Sequence, residues 1–232
     1  IMKLRFSGWL GVFLVVATVL VALVSLVWTP YDPTLAHPDV RLAGPSAEHL
    51  LGTDRFGRDT ASRIMAGAQI TVFVGLVAVG IAALVGVPLG ILAGMRRGTW
   101  VDALVMRGAD LLLAFPALLL AIIAGAVWGP STLTAMVAIG IAGIPSFARV
   151  ARSGTLQVIT QDFISSARIS AVPGWKVALR HILPNLTGLL IVQASVYFAL
   201  AILAEAGLSY LGLGTAPPAA SWGRMLQDSP SL

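Results

Sequence analysis

Two acids, Asp110 and Glu205, stand beside long apolar stretches. A carboxylate at membrane depth is costly, so it marks an ion or proton route, or a hydrogen bond that ties helices together. Asp110 follows Arg107 by three residues, which lets the pair meet on one helix face. Glu205 has no basic residue near it in sequence. The three histidines, His37, His49 and His181, lie far apart and make no ligand-spaced pair. Cysteine is absent, which excludes a disulfide, a thiolate metal centre and a cysteine nucleophile. There is no G-x-x-x-x-G-K-[ST] phosphate loop, no H-E-x-x-H and no Ser-His-Asp candidate. The only lysines are Lys3 and Lys176. No nucleotide hydrolysis is encoded by any of these motifs, and a chain driven by ATP would need a separate subunit to bind it.

A second group of residues has the pattern of a docking device. From about 151 to 184 the chain turns basic and holds one acid, Asp162. Asp162 to Ala171 predicts a short helix with Phe163, Ala167 and Ala171 on one face; Ser165, Ser166 and Arg168 share that helix. Val172-Pro173-Gly174 predicts a turn. Trp175 to Leu183 predicts a second short helix, with Trp175, Ala178, Leu179 and Ile182 on one face and Lys176 and Arg180 opposite; it includes His181 and ends before Pro184. Helices this short are marginal in water, so both need a surface to lie on, either a membrane or a groove in a cytoplasmic partner.

The elements that must carry these residues are set by the distribution of charge. Only 11% of the 232 residues are charged and 57% are hydrophobic. Residues 6–31, 64–95, 111–148 and 182–204 carry no Asp, Glu, Lys or Arg. A membrane helix needs about 20 apolar residues. An all-α polytopic membrane protein is therefore expected, and a soluble enzyme, a disordered chain, a disulfide scaffold and a membrane barrel are excluded. Spans are predicted near 8–28, 70–94, 103–127, 133–150 and 186–208. Gly129-Pro130-Ser131 splits the longest run into a hairpin, and Pro184 with Asn185 as N-cap marks the start of the last span. In the second span Ala78, Ala82, Gly86, Gly90 and Gly94 recur every four residues, a stripe suited to close helix packing.

Lys and Arg set the orientation. Ten lie on the side of Lys3, Arg5 and the 151–184 loop, against five on the side of Arg41, Arg55, Arg58, Arg63 and Arg224. The basic side is expected to be cytoplasmic, with the N-terminus inside. The net charge of +5 follows from these loops and does not point to nucleic acid. The expected division is 1–28, a cytoplasmic end and first span; 29–69, an outer loop; 70–208, the membrane core with the loop 151–184; and 209–232, an outer segment.

At the 151–184 loop the sequence resembles the inner-membrane permeases of binding-protein-dependent ABC importers, of the dipeptide/oligopeptide type. Their E-A-A, G and L-P pattern is matched by Ser165-Ser166-Ala167-Arg168, Ala171 and His181-Ile182-Leu183-Pro184-Asn185. Gly52-Thr53-Asp54-Arg55-Phe56-Gly57-Arg58-Asp59, Met106-Arg107 with Asp110, Leu113-Ala114-Phe115-Pro116, Ala148-Arg149-Val150-Ala151-Arg152, and Leu208 to Gly214 with Ser221-Trp222-Gly223 resemble further motifs of that type in the same order. The resemblance implies a type I importer permease fold with six spans, the last beyond Leu232, in a bacterial inner membrane. It implies a second permease subunit, two cytoplasmic ATPase subunits that hold ATP and Mg, and an extracytoplasmic binding protein. It also implies an ATPase-coupling loop at Asp162, Phe163, Ser165, Ser166, Ala167, Arg168, Ala171, Gly174, His181 and Pro184, with no cofactor or metal in this chain. Ser165 stands where the family has Glu and Ala171 where it has Gly, so ordinary helical or extended backbone is expected at 171, with the turn shifted to Pro173-Gly174. Di- and oligopeptides are the expected cargo; nickel is the alternative within the type. A proton-coupled transporter using Asp110 or Glu205, and a purely structural subunit, are the alternatives outside it.

Overall fold

The computed structural model describes residues 6–229. Lys3 and Arg5, which the orientation reading uses, lie outside the described residues. The chain forms α1 (Phe6–Ser25), a 3₁₀ turn (Pro38–Val40), α2 (Thr60–Met95), α3 (Trp100–Leu113), α4 (Ala117–Trp128), α5 (Thr132–Val158), α6 (Asp162–Ile169), α7 (Gly174–Val177), a π-helical turn (Ala178–Ile182), α8 (Leu183–Tyr210) and α9 (Trp222–Asp228). Among the described residues there is no β-sheet, only an isolated antiparallel bridge between Thr53 and Asp59. Four helices are long and apolar enough to cross a membrane, or five crossings if a bent pair counts as one.

That pair is α3 and α4. A single span over 103–127 was expected, but the helix bends by 80° between Leu113 and Ala117. Pro116 cannot donate to a carbonyl one turn back, and it pushes Phe115 out of helical backbone. Gly129, at φ +88°, makes the expected break before α5, and Ser131 Oγ accepts from the Thr134 N–H at 3.1 Å to cap it. The second span also begins earlier than expected. α2 starts at Thr60, inside the segment read as an outer loop.

By contacts the chain divides into two units. The first gathers Ile1–Val74, Trp128–Ala135 and Glu205–Leu232. Within it Ser25 Oγ donates to the Met65 carbonyl at 3.0 Å, and Gln69 Nε2 donates to Ser25 Oγ at 2.8 Å, which ties the end of α1 to the first turns of α2. Trp222 Nε1 donates to the Ile64 carbonyl at 3.1 Å, and Thr132 Oγ1 and Thr215 Oγ1 lie 3.1 Å apart. The start of α2, the start of α5 and the segment after α8 therefore share one end.

The second unit gathers Gly75–Val127 and Met136–Ala204. Its centre is the approach of α2 to α5 along the small-residue stripe. Ala78 and Ala82 are fully buried. A Cβ at Gly86 would strike the Ile144 carbonyl and Phe147, one at Gly90 the Ala148 carbonyl, and one at Gly94 the side chain of Thr155. Backbones this close gain dispersion contacts that larger side chains would prevent. Tyr197 of α8 donates to the Ile139 carbonyl at 2.5 Å and meets Phe147 edge-on, with ring centres 5.8 Å apart.

Candidate functional site

The loop after α5 holds two helices that are seated differently from the sequence expectation. α6 covers Asp162–Ile169 and turns Ile164 and Ala167 inward, both buried. Phe163 is 43% exposed and Ile169 87% exposed, and Ser165 and Ser166 are exposed beside them. Phe163 and Ala167 thus do not share one docking face. Ala167 belongs to this chain's own core, with Ile164, which sequence reasoning missed, while Phe163 faces out and lies 6.3 Å from the His181 ring, centre to centre. The Arg168 side chain lies outside the described part.

The end of α6 corrects a second expectation. Ala171 has φ +54°, left-handed backbone, and the Val172 N–H reaches back to the Ala167 carbonyl at 3.1 Å. This six-residue closure is the Schellman ending, in which the residue after the C-cap adopts αL, usually as glycine. The geometry that a glycine would supply is thus kept at position 171 with an alanine, and the turn does not shift onward. α7 then begins at Gly174, after Pro173.

Pro184 does not end the second loop helix, and Asn185 does not cap a new one. Helix continues from Gly174 to Tyr210. The π turn makes this possible: the Leu183 N–H bonds to the Ala178 carbonyl, five residues back. The wider turn relaxes the clash a proline ring makes with the carbonyl four residues before it. Asn185 Nδ2 donates instead to the His181 carbonyl at 2.6 Å. Val177, Ile182 and Leu186 form the buried side of this helix, whereas Trp175 and Leu179 are exposed.

Asp110 and Arg107 do not pair. Asp110 pairs with Arg149 of α5, and Arg107 is exposed. A neighbouring pair is one that sequence spacing does not signal: Asp102, buried at the start of α3, takes Arg152 Nε at 2.6 Å and Nη2 at 2.9 Å and accepts from the Gly98 N–H at 3.1 Å. Bidentate carboxylate–guanidinium pairs fix geometry as well as charge. α3 is thereby clamped to α5 at two points on the last turns before the loop.

Glu205 is 2% exposed and accepts from Ser209 Oγ at 2.5 Å and Thr215 Oγ1 at 3.2 Å. The Thr215 N–H donates to Ser209 Oγ at 2.9 Å. These bonds hold the chain's exit from α8, which is the structural reading of this acid. Among the described residues no cluster of His, Cys, Asp or Glu could hold a metal ion.

The start of α2 is the most heavily bonded polar region. Asp59 accepts from the Ser62 N–H at 2.8 Å, Ser62 Oγ at 2.7 Å and His49 Nδ1 at 3.0 Å. Burial works to raise its pKa, but these bonds outweigh burial and hold the carboxyl below the usual 3.8. Asp54 Oδ1 accepts from the Phe56 and Arg58 N–H groups at 2.8 and 3.0 Å, and its Oδ2 from Arg58 Nε at 2.7 Å. Gly52 and Gly57 take φ +72° and +78° to shape this loop, where any side chain at 57 would meet the His37 carbonyl.

Residues 86–231, more than half of the chain, match the family described as the binding-protein-dependent transport system inner membrane component. The chain belongs to that family. This permease is 41% identical, over 94% of its length and 72% of the relative's, to the dipeptide transport system permease protein DppC of Alkalihalophilus pseudofirmus. It is 36% identical, over 96% of its length and 76% of the relative's, to the di/tripeptide permease DppC of Pseudomonas aeruginosa. It is 40% identical, over 87% and 67%, to the glutathione transport system permease GsiD of Pectobacterium atrosepticum. In fold it is similar to a chain of the MetNI methionine ABC transporter in inward-facing conformations, with a TM-score of 0.59 at 18% identity over 70% of this permease and 77% of that chain. The helical architecture and the membership agree: the chain is the permease component of an ABC importer, a transport subunit.

Proposed function

We propose that this permease carries di- and oligopeptides across a bacterial inner membrane and takes its energy from separate ATPase subunits through the 151–184 loop. The peptide reading rests on relatives whose names specify dipeptides, di/tripeptides and glutathione. The coupling reading rests on α6: its inner face is anchored by Ile164 and Ala167, while Ser165, Ser166 and Ile169 are exposed and Phe163, beside His181, is partly so. A partner groove that covers this face would grip a helix already seated in the permease. A displacement of α6 would pass to α5 through the short connection 159–161, and to α8 through the helix that runs unbroken from Gly174. Two states of access require only that ATP closing on the partner subunits favours one position of this joint over the other.

The rest of the assembly follows from the same reading. A second permease subunit completes the path, two ATPase subunits bind ATP and Mg, and an extracytoplasmic binding protein delivers the peptide. The ten-to-five bias of Lys and Arg supports a cytoplasmic N-terminus and loop. Cysteines at Ser166 or Ile169 are expected to cross-link to an ATPase subunit in the assembled complex, with a yield that changes on nucleotide binding. A complex in which residues 162–172 meet only lipid would sink the coupling reading.

A further inference from the structure

Four guanidiniums converge on two carboxylates beside the start of α2. Asp228 of α9 lies 2.7 Å from Arg55, 3.4 Å from Arg58, 3.8 Å from Arg63 and 3.9 Å from Arg224. Asp54 lies 2.7 Å from Arg58 and 3.5 Å from Arg63. Asp59, the next acid along the chain, is turned to Ser62 and His49. The group therefore carries two positive charges more than it carries negative ones. Arg63 is the clearest case. Its side chain is 2% exposed; its Nε and Nη2 face Asp54 and Asp228 at the longer distances above, and its Nη1 donates to the Pro33 carbonyl at 3.3 Å. A guanidinium has five N–H donors, and contacts this long leave Arg63 able to take a closer acceptor.

These arginines line a cavity of about 260 Å³. Its polar wall is Arg55, Arg58, Arg63 and Arg224 with Thr34 and with Asp228, the carboxylate these arginines already face, and its apolar wall is Phe56, Pro217 and Pro218. The guanidinium carbons of Arg55 and Arg58 lie over the Phe56 ring, 4.8 and 4.7 Å from its centre. The cavity has room for an anionic head with a modest apolar body, and planar forks of this kind match a carboxylate in bidentate fashion.

We infer that this cavity is a carboxylate-binding subsite that receives the free carboxyl end of a short peptide, with Arg63 and Arg55 as its principal ligands and Pro217, Pro218 and Phe56 against the terminal side chain. The carboxylate chemistry stands on the cavity alone; that a peptide bears it rests on the function proposed above. The pocket is too small for a folded surface to enter, which favours a chain end over a protein face.

The test uses the full permease in its complex, in lipid nanodiscs, and measures binding of the dipeptide Ala-Phe, its C-terminal amide and acetate by calorimetry. Arg63→Gln removes the buried ligand; Arg55→Gln, at a side chain 42% exposed, keeps the fold secure, as a melting curve would check. The free acid is expected to bind at least tenfold tighter than the amide, and each substitution to weaken the free acid about tenfold while leaving the amide unchanged. If acetate and the free acid bind equally well and both respond to Arg55→Gln, the carboxylate subsite stands and the peptide as its bearer fails. If neither carboxylate binds, if Arg55→Gln changes nothing, or if only the intact binding protein competes for the arginines, the proposal is overturned and the arginines are structural.

Discussion

Ala171 holds a backbone conformation that its side chain disfavours. Left-handed backbone costs a residue with a Cβ about 1 kcal/mol, and glycine escapes that cost. Ala171→Gly is expected to steady the end of α6, slowing amide exchange over 164–172 about fivefold without altering the fold. Unchanged exchange would mean that the loop visits other conformations at no cost. Asp59 allows a prediction in pH. Its carboxyl is held below 3.8 in the folded chain, so the stability it contributes is complete above that value and is lost as pH falls through its folded pKa. Melting temperatures taken between about pH 6 and pH 2.5 should fall more steeply in the wild type than in Asp59→Asn, which keeps a capping oxygen but does not titrate. Parallel curves would place the acid sensitivity elsewhere.

At the scale of elements, α6 presents two faces with different tasks. Ile164→Asp puts a charge into the core and is expected to destroy the loop, seen as loss of the complex. Phe163→Asp leaves the permease folded and is expected to abolish stimulation of the partner ATPase, because the docking face is apolar at that point. Ser165→Ala removes one neutral hydrogen-bonding group, worth about 1 kcal/mol at most, and should be mild. Equal damage from Ser165→Ala and Phe163→Asp in reconstituted transport would show that a polar contact at 165 dominates. The separation of these faces was not legible in the sequence. Phe163 and Ala167 lie four apart and read as one stripe, but only contacts show that Ile164, one step round the helix, is the anchor. The long spans and the small-residue stripe on α2 were legible, because charge-free runs and a four-residue recurrence of Ala and Gly survive without knowledge of any partner. The clamp of Asp102 on Arg152 was not, since the two are separated by 50 positions. The bend at Pro116 was available from the proline itself, but the apolar run on both sides of it masked a break.

For the molecule as a whole, the crossing count makes a claim about sides. With the bent pair α3–α4 counted as one span, five crossings put the connections after α1, α4 and α8 together, and those after α2 and α5 together. The native chain has no cysteine, so single substitutions report cleanly. Ala47→Cys and Ala216→Cys, both at exposed positions, are expected to react with an impermeant thiol reagent in intact cells, and Ser170→Cys only after permeabilisation. Labelling of Ser170→Cys in intact cells would reverse the orientation.

The π turn at Ala178–Ile182 makes the helix there one residue longer than its hydrogen-bond ladder needs. Val177 and Ile182 are both buried although five positions apart, an interval that in a regular α-helix would swing them about 140° from one another. The sequence thus carries a slipped phase, and a reader who counts by turns finds two helices where there is one. An inserted residue accommodated in this way can also be taken out. Deleting exposed Arg180 should let the ladder close in α register, leaving residues on either side facing as they do now. The same deletion within 186–208 would rotate everything beyond it by about 100°. The complex should assemble after the first excision and fail after the second; failure after both would mean that the extra residue is itself needed where it stands.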